Sequence, residues 1–381
     1  MSVSDPQKAM YDLLSQLLRD GGSDLFITAG FPAAMKQHGK MTPMNDQVLT
    51  ADDTAAMCRA IMNEQQQKEF ADSNECNWAI SPDNIGRFRC NAFVQQGRVG
   101  MVLRVITTEV PDFDKLGLPP VLKDVIMAKT GLVLMVGGTG SGKSTSLAAM
   151  INHRNMNSAG HIISIEDPIE YVHPHKQCLI TQREVGVDTN DWHAALKNTL
   201  RQAPDVILIG EIRDRETMEH AINFAETGHL ALSTLHANNA NQALDRIINM
   251  FPHEKREQLL MDLSLNLRAV ISQRLLPRAG GGRVAAIEIL LKSPLVSELI
   301  FKGEVHQLKE VMANSNEMGM NTFDQALFYL YQQDKITYED ALRFADSANE
   351  IRLKIKLEGK SPDGGASTGG GLSGLSLVDK D

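Results

Sequence analysis

Apolar residues first recur at helical spacing over Met10 to Arg19, where Met10, Leu13, Leu14, Leu17 and Leu18 share one face and Gly21-Gly22 ends the run. A strand-like Leu25-Phe26-Ile27 follows. Up to about Ile106 short strands alternate with one helix predicted from Ala51 to Phe70, opened by a cap at Thr50 ahead of Asp52 and Asp53. Prolines punctuate Pro111 to Pro120, which suits neither a central strand nor a continuing helix and reads as a linker. Apolar strands are then expected at Gly131 to Val136, His161 to Ile165, Asp205 to Ile209 and His229 to Leu235. Helices from Lys143 to about His153 and from about Arg215 to Glu226 lie between them, so the pattern predicts a mostly parallel sheet with helices on both faces. From Pro252 the pattern is mainly helical, with helices expected over Glu254 to Leu275, Leu295 to Lys302, Asn321 to Gln333 and Thr337 to about Glu358, and a hairpin near Gly280 to Gly282. The fold class is therefore α/β: a small α/β domain at 1–110, a linker at 111–120, a larger α/β domain with a helical C-terminal part at 121–360, and a Gly/Ser-rich flexible tail at 361–381.

Composition agrees with that division. A chain of 381 residues suits two domains, and 43% hydrophobic with 22% charged residues is the make-up of a globular protein. The formal charge of -9 argues against a surface built throughout for polyanions, so nucleic acid is not an expected partner. The four cysteines, Cys58, Cys76, Cys90 and Cys178, are scattered without a C-x-x-C pair or ligand spacing and read as buried reduced thiols. Met1 to Lys8 lacks a basic stretch followed by an apolar core, so a cytoplasmic location is expected. Apolar runs such as Gly131 to Val136 fall well short of the roughly 20 residues of a membrane helix, which leaves membrane association to a partner or a surface.

The chemistry concentrates in three places. Gly137-Gly138-Thr139-Gly140-Ser141-Gly142-Lys143-Ser144 matches G-x-x-x-x-G-K-[ST], the Walker A phosphate loop, directly after an apolar strand and directly before a helix. Glycines there let backbone N–H groups wrap a β-phosphate, and the helix N-terminus favours the anion. Lys143 reaches the β- and γ-phosphates, the Ser144 hydroxyl ligates Mg²⁺, and Thr145 closes the nucleotide-binding stretch. The apolar run Asp205 to Gly210 ends in Glu211, a carboxylate suited to orienting Mg²⁺ or its waters, although glutamate stands where many such ATPases have aspartate. Between them, Glu166-Asp167-Pro168-Ile169-Glu170 sets three acids at the carboxyl edge of the sheet; one of them can polarise an attacking water, or the loop can simply be a solvated charged one. His229 and His236 flank Leu230 to Leu235 and, seven residues apart on one strand, face opposite ways and do different jobs.

Together these motifs resemble the secretion and pilus ATPase superfamily, and within it the type IV pilus retraction ATPases of the PilT/PilU family, from about Ser23 to Leu342. The marks are Ser23-Asp24-Leu25, Gly86-Arg87-Phe88-Arg89-Cys90-Asn91, the phosphate loop, Ile165 to Glu170, Gly210-Glu211-Ile212-Arg213-Asp214 and Thr227-Gly228-His229. The resemblance implies an N-terminal PAS-like domain, a RecA-like ATPase domain with a helical end, ATP and Mg²⁺ as cofactors, and a homo-hexameric ring. It implies Glu170 as catalytic base, Glu211 in the Walker B position and His229 in the histidine box. Arg89 and Arg104 match the arginines that close over the nucleotide, while Arg201 and Arg213 are weaker candidates because such residues often form structural ion pairs. PilT proteins carry Ala-Ile-Arg-Asn where this chain has Leu295-Val296-Ser297-Glu298, a departure that places it nearer the PilU branch, which works beside a PilT-type ATPase. The implied setting is the cytoplasmic side of the inner membrane at a pilus platform protein. A nucleotide-regulated adaptor with dispensable hydrolysis is the alternative, and a RecA-like nucleic-acid translocase ranks behind both.

Overall fold

Asp5 accepts a hydrogen bond from the Lys8 N–H, Pro6 fits the first turn, and a helix runs over Pro6–Arg19 with Met10, Leu13, Leu14 and Leu17 buried. Such local logic recurs through the protein, whose computed structural model describes residues 5–37, 39–106 and 109–358. The tail at 361–381 lies outside the described residues. Two compact units are present, residues 5–112 with 151–210 and residues 113–150 with 211–358. Residues 151–210, which the sequence-based division assigns after the linker, group with the N-terminal residues.

The first unit contains an antiparallel sheet of β1 (Asp24–Ile27), β2 (Pro32–Gln37), β3 (Lys40–Val48), β4 (Glu75–Ile80), β5 (Arg87–Gln95) and β6 (Arg98–Ile106), in the order β3-β2-β1-β6-β5-β4. Its core packs the first helix with Leu25, Met57, Trp78, Phe88 and Leu103. The helix expected over Ala51 to Phe70 is two helices, Ala51–Ala60 and Glu64–Ser73. Asn63 explains the break: it caps the second helix and shares a reciprocal capping box with Gln66, just as Thr50 does with Asp53 at the first. The same unit holds β8 (Gly160–Glu166), parallel to β9 (Cys178–Glu184) on one side and to β10 (Val206–Ile209) on the other.

In the second unit β7 (Gly131–Val136) has all six residues buried and runs parallel to β11 (Leu230–Leu235) and β12 (Leu267–Pro277), with β13 (Arg283–Leu291) antiparallel to β12. The helix expected over Glu254 to Leu275 ends at Asn266, and the chain continues as β12. Sheet pairing on both sides of the β-branched Val270 and Ile271 overrides the leucine-rich helical pattern there. The hairpin turns at Gly280 to Gly282, where Arg278 N–H donates to the Gly282 carbonyl. The predicted Thr337 to Glu358 helix is likewise divided into Tyr338–Arg343 and Ala348–Glu358. Between them the buried Asp324 carboxylate accepts from the N–H groups of Asp346 (2.8 Å) and Ser347 (3.1 Å), which holds the chain out of helical geometry. All four cysteines are free and buried, and no helix among the described residues is long and apolar enough to cross a membrane.

His173 in the first unit is 9% exposed and its Nδ1 is buried without a hydrogen-bond partner. Burial, aided by the Lys176 charge, pulls its pKa down to about 4. The unfolded chain takes up a proton near pH 6.5 that the folded protein refuses until about pH 4, so this site contributes stability above that window and loses it as pH falls through it. Chemical denaturation of wild type and His173→Phe should show a wild-type loss between pH 7 and pH 5 that exceeds the variant's by about 2 kcal/mol, and parallel pH profiles would contradict it.

Candidate nucleotide site

β7 delivers the chain into the phosphate loop, and the loop's shape is set by what surrounds it. At Gly137 an added Cβ would stand 2.4 Å from Ser141 Oγ and 2.6 Å from the Gln273 carbonyl; at Gly142, where φ is +87°, it would stand 2.7 Å from Gln273 Nε2. Gly138 and Gly140 face open space instead. Gln273, on β12, donates from Nε2 to the Ser141 carbonyl (2.9 Å) and accepts at Oε1 from the Ser146 hydroxyl (2.7 Å). Sequence reasoning missed this residue because it fell in a run read as helix, 132 positions from Ser141.

Lys143 is buried, with Nζ donating to the carbonyls of Gly137 (2.8 Å) and Gly138 (2.9 Å). Ser141 Oγ is buried with no hydrogen-bond partner. The loop leads into the helix Lys143–Asn157, so its donors are the N-terminal N–H groups, an ammonium and an unsatisfied hydroxyl. That donor set fits a polyphosphate. The half-buried Ser144 hydroxyl and the Glu211 carboxylate are hard oxygen donors of the kind that suits Mg²⁺.

Glu211 is tied to the same sheet edge by its neighbour, since Ile212 N–H donates to the Thr234 carbonyl of β11 (2.9 Å). Its carboxylate pairs with Arg213 and lies 3.2 Å from His236 Nε2. Burial lowers the His236 pKa, and the charges of Lys143, Arg246 and Arg213 lower it further. A neutral imidazole at pH 7 follows, with Nε2–H donating to Glu211. Arg213 therefore takes the ion-pair role foreseen for it, and Arg201 reaches the Asn198 side chain (3.3 Å).

The strand β11 covers only Leu230–Leu235, so the two histidines lie beyond its opposite ends and not on its two faces. Leu235 of β11 is in register with Val136 of β7, so His236 follows at the phosphate-loop end. His229 stands at the other end, where its carbonyl accepts from Gly131 N–H and its Nδ1 lies against Thr227 Oγ1 (3.1 Å) and the Phe224 carbonyl (3.2 Å). Six strand residues at about 3.3 Å each put it roughly 20 Å from the loop. The structure thus brings Lys143, Glu211 and His236 together in this unit and leaves His229 apart from them.

In the first unit a cleft of about 380 Å³ is lined by Arg89, Arg104, Glu170 and Tyr171, with Ile106 and Pro168 beside them. Arg89 and Arg104 are direct cross-strand partners on β5 and β6. Like charges so placed are unfavourable by themselves, which makes the cleft a place for an anion. Asp24, 5% exposed, takes Arg104 Nε at 2.7 Å and the Ser23 hydroxyl at 2.7 Å, so the Ser23-Asp24 motif orients this arginine. The three acids after β8 also separate. Glu166 accepts from Ser164 Oγ (2.6 Å) and Gln182 Nε2 (3.3 Å), and burial pushes its pKa up to about 7 against those hydrogen bonds. Asp167 is exposed, and Glu170 alone of the three lines the arginine cleft.

Residues 50–319 match the family described as "Type II/IV secretion system protein". The chain is 58% identical over 371 residues to the type IV pilus ATPase PilU of Pseudomonas aeruginosa, covering 97% of both chains. It is 41% identical to the PilT retraction ATPase of the same organism, over 87% of this chain and 96% of that protein. The crystal structure of the pilus retraction motor PilT with bound ADP superposes with a TM-score of 0.85 at 39% identity, over 90% of this chain and 99% of that one. The α/β class with a PAS-like N-terminal part and a RecA-like ATPase part ending in helices is the fold of this protein. By sequence and by fold the chain belongs to the type II/IV secretion system protein family, in its PilT/PilU group.

Proposed function

We propose that the protein is an ATP-hydrolysing motor of type IV pili that acts in pilus retraction beside a PilT-type partner. The observation that carries the reading is the gathering of Lys143, Glu211 and His236 where β7 runs into the phosphate loop. Residues 137–145 hold the phosphates, with Ser144 and Glu211 on Mg²⁺. Bound ATP supplies the phosphoanhydride to be cleaved. Glu170 takes a proton from the attacking water, and Arg89 and Arg104 stabilise charge developing on the γ-phosphoryl group. His236 keeps Glu211 oriented.

A homo-hexamer at an inner-membrane pilus platform protein is the assembly we propose, by analogy with relatives named as pilus ATPases. The accessory role rests on the helix Pro294–Lys302. Leu295 is 51% exposed there, Glu298 pairs with Lys302, and Ser297 stands where the resemblance expects an arginine. The same surface favours a second reading, an adaptor stacked on a true motor with hydrolysis dispensable. Retraction in cells that express this protein and lack the PilT-type ATPase would exclude the adaptor.

Steady-state turnover tests the chemistry. Glu170→Gln should lower kcat at least a hundredfold with ATP affinity changed less than threefold, whereas Lys143→Ala should lose ATP binding. Equal rates for wild type and Glu170→Gln would remove Glu170 as base, and no wild-type turnover with saturating ATP and Mg²⁺ would remove the enzyme. His236→Ala should cost more turnover than His229→Ala; the reverse order contradicts the placement of the two histidines.

A further inference from the structure

The loop that carries Glu170 leaves β8 and is held by side chains. Ile169 N–H donates to Glu184 Oε2 (3.2 Å), and His173 N–H donates to Gln182 Oε1 (2.8 Å). The Gln182 amide also donates to the Tyr171 carbonyl (2.8 Å) and to Glu166 Oε1 (3.3 Å). Gln182 and Glu184 are two apart on β9 and so share one face. They grip positions 169, 171 and 173. Glu170 sits between two gripped residues and lines the cleft with Arg89 and Arg104.

Glu184 has a second attachment. It is 3% exposed, and the oxygen that takes Ile169 N–H lies 3.8 Å from Arg87 Nη2. Arg87 is two residues from Arg89 on β5 and on the same face, and its Nε is buried with no hydrogen-bond partner. Both positive charges favour the ionised form of Glu184 against the burial that disfavours it. One buried carboxylate is therefore attached to the neighbour of Glu170 and to the strand that carries Arg89.

We infer that Gln182 and Glu184 are positioning residues for Glu170, holding the backbone on either side of it. The inference rests on the reading of Glu170 as the base. The backbone is held on either side of Glu170 by these two side chains and at Glu170 itself by the Glu166 carboxylate, which keeps the Glu170 carboxylate direction within the narrow range that proton transfer needs. Neither side chain touches the phosphate loop by any contact described, so loss of either acts on turnover and spares nucleotide binding.

The test measures, on the full chain, kcat and KM for ATP, affinity for ADP, thermal midpoint and amide hydrogen exchange across 167–173. Gln182→Leu and Glu184→Ala should lower kcat at least tenfold, with KM and ADP affinity within threefold, and speed exchange in this loop at least tenfold. Glu184→Gln keeps an acceptor for Ile169 N–H without the charge, and should restore slow exchange and most of kcat. Wild-type kcat in a folded Gln182→Leu with a loosened loop overturns the positioning role, as does unchanged exchange in both truncations. If a truncation fails to fold, Glu184→Gln decides: a tenfold loss of kcat with slow exchange retained would overturn the inference. Absence of ATP turnover in wild type, with exchange responding as expected, sinks the hydrolysis reading and leaves the grip on the loop standing.

Discussion

The Gln273 amide clasps the phosphate loop at close quarters, and the construction of that site depends on it. It bonds Ser141 from one atom and Ser146 from the other, so the end of the turn and the first turn of the helix after it are held against β12. The amide leaves no room for a Cβ at Gly142, and Ser141 Oγ with the Gln273 main-chain carbonyl leaves none at Gly137. With the turn fixed, Lys143 folds over the carbonyls of Gly137 and Gly138 and Ser141 Oγ is left buried and unsatisfied, a donor set that suits an anion. The parallel register of β7 and β11 then decides which side chains can join, and His236 and Glu211 follow at that edge.

Electrostatics supports the same division of labour in the first unit. Two guanidiniums set opposite one another across β5 and β6 repel, and Asp24 relieves only the Arg104 side of that arrangement. The acids sort by environment. Glu166 is desolvated and netted by hydrogen bonds, whereas Glu170 lines the cleft that holds the arginines. Its place beside the cationic cleft, and not burial, is the ground on which Glu170 is proposed as the base.

Features written locally were legible in the chain. The phosphate loop is contiguous and flanked by its strand and helix, and Thr50 with Asp53 announces a cap within four residues. Arg89 and Arg104 could be named only through resemblance, because their pairing belongs to sheet register. The histidine assignment hinged on which end of β11 meets the loop, and periodicity carries no such information. Gln273, Gln182 and Glu184 were not legible, since their partners lie far along the chain or on an irregular loop. The leucine-rich run after Glu254 misled for a related reason: neighbouring strands decided the conformation past Asn266.

Hydrogen exchange with and without ATP and Mg²⁺ is the most direct measurement of whether this architecture is a nucleotide site. Slowed exchange centred on 137–145, extending to the backbone around Glu211 and His236, is the result the geometry requires. Exchange unchanged over 137–145 at saturating nucleotide would contradict it.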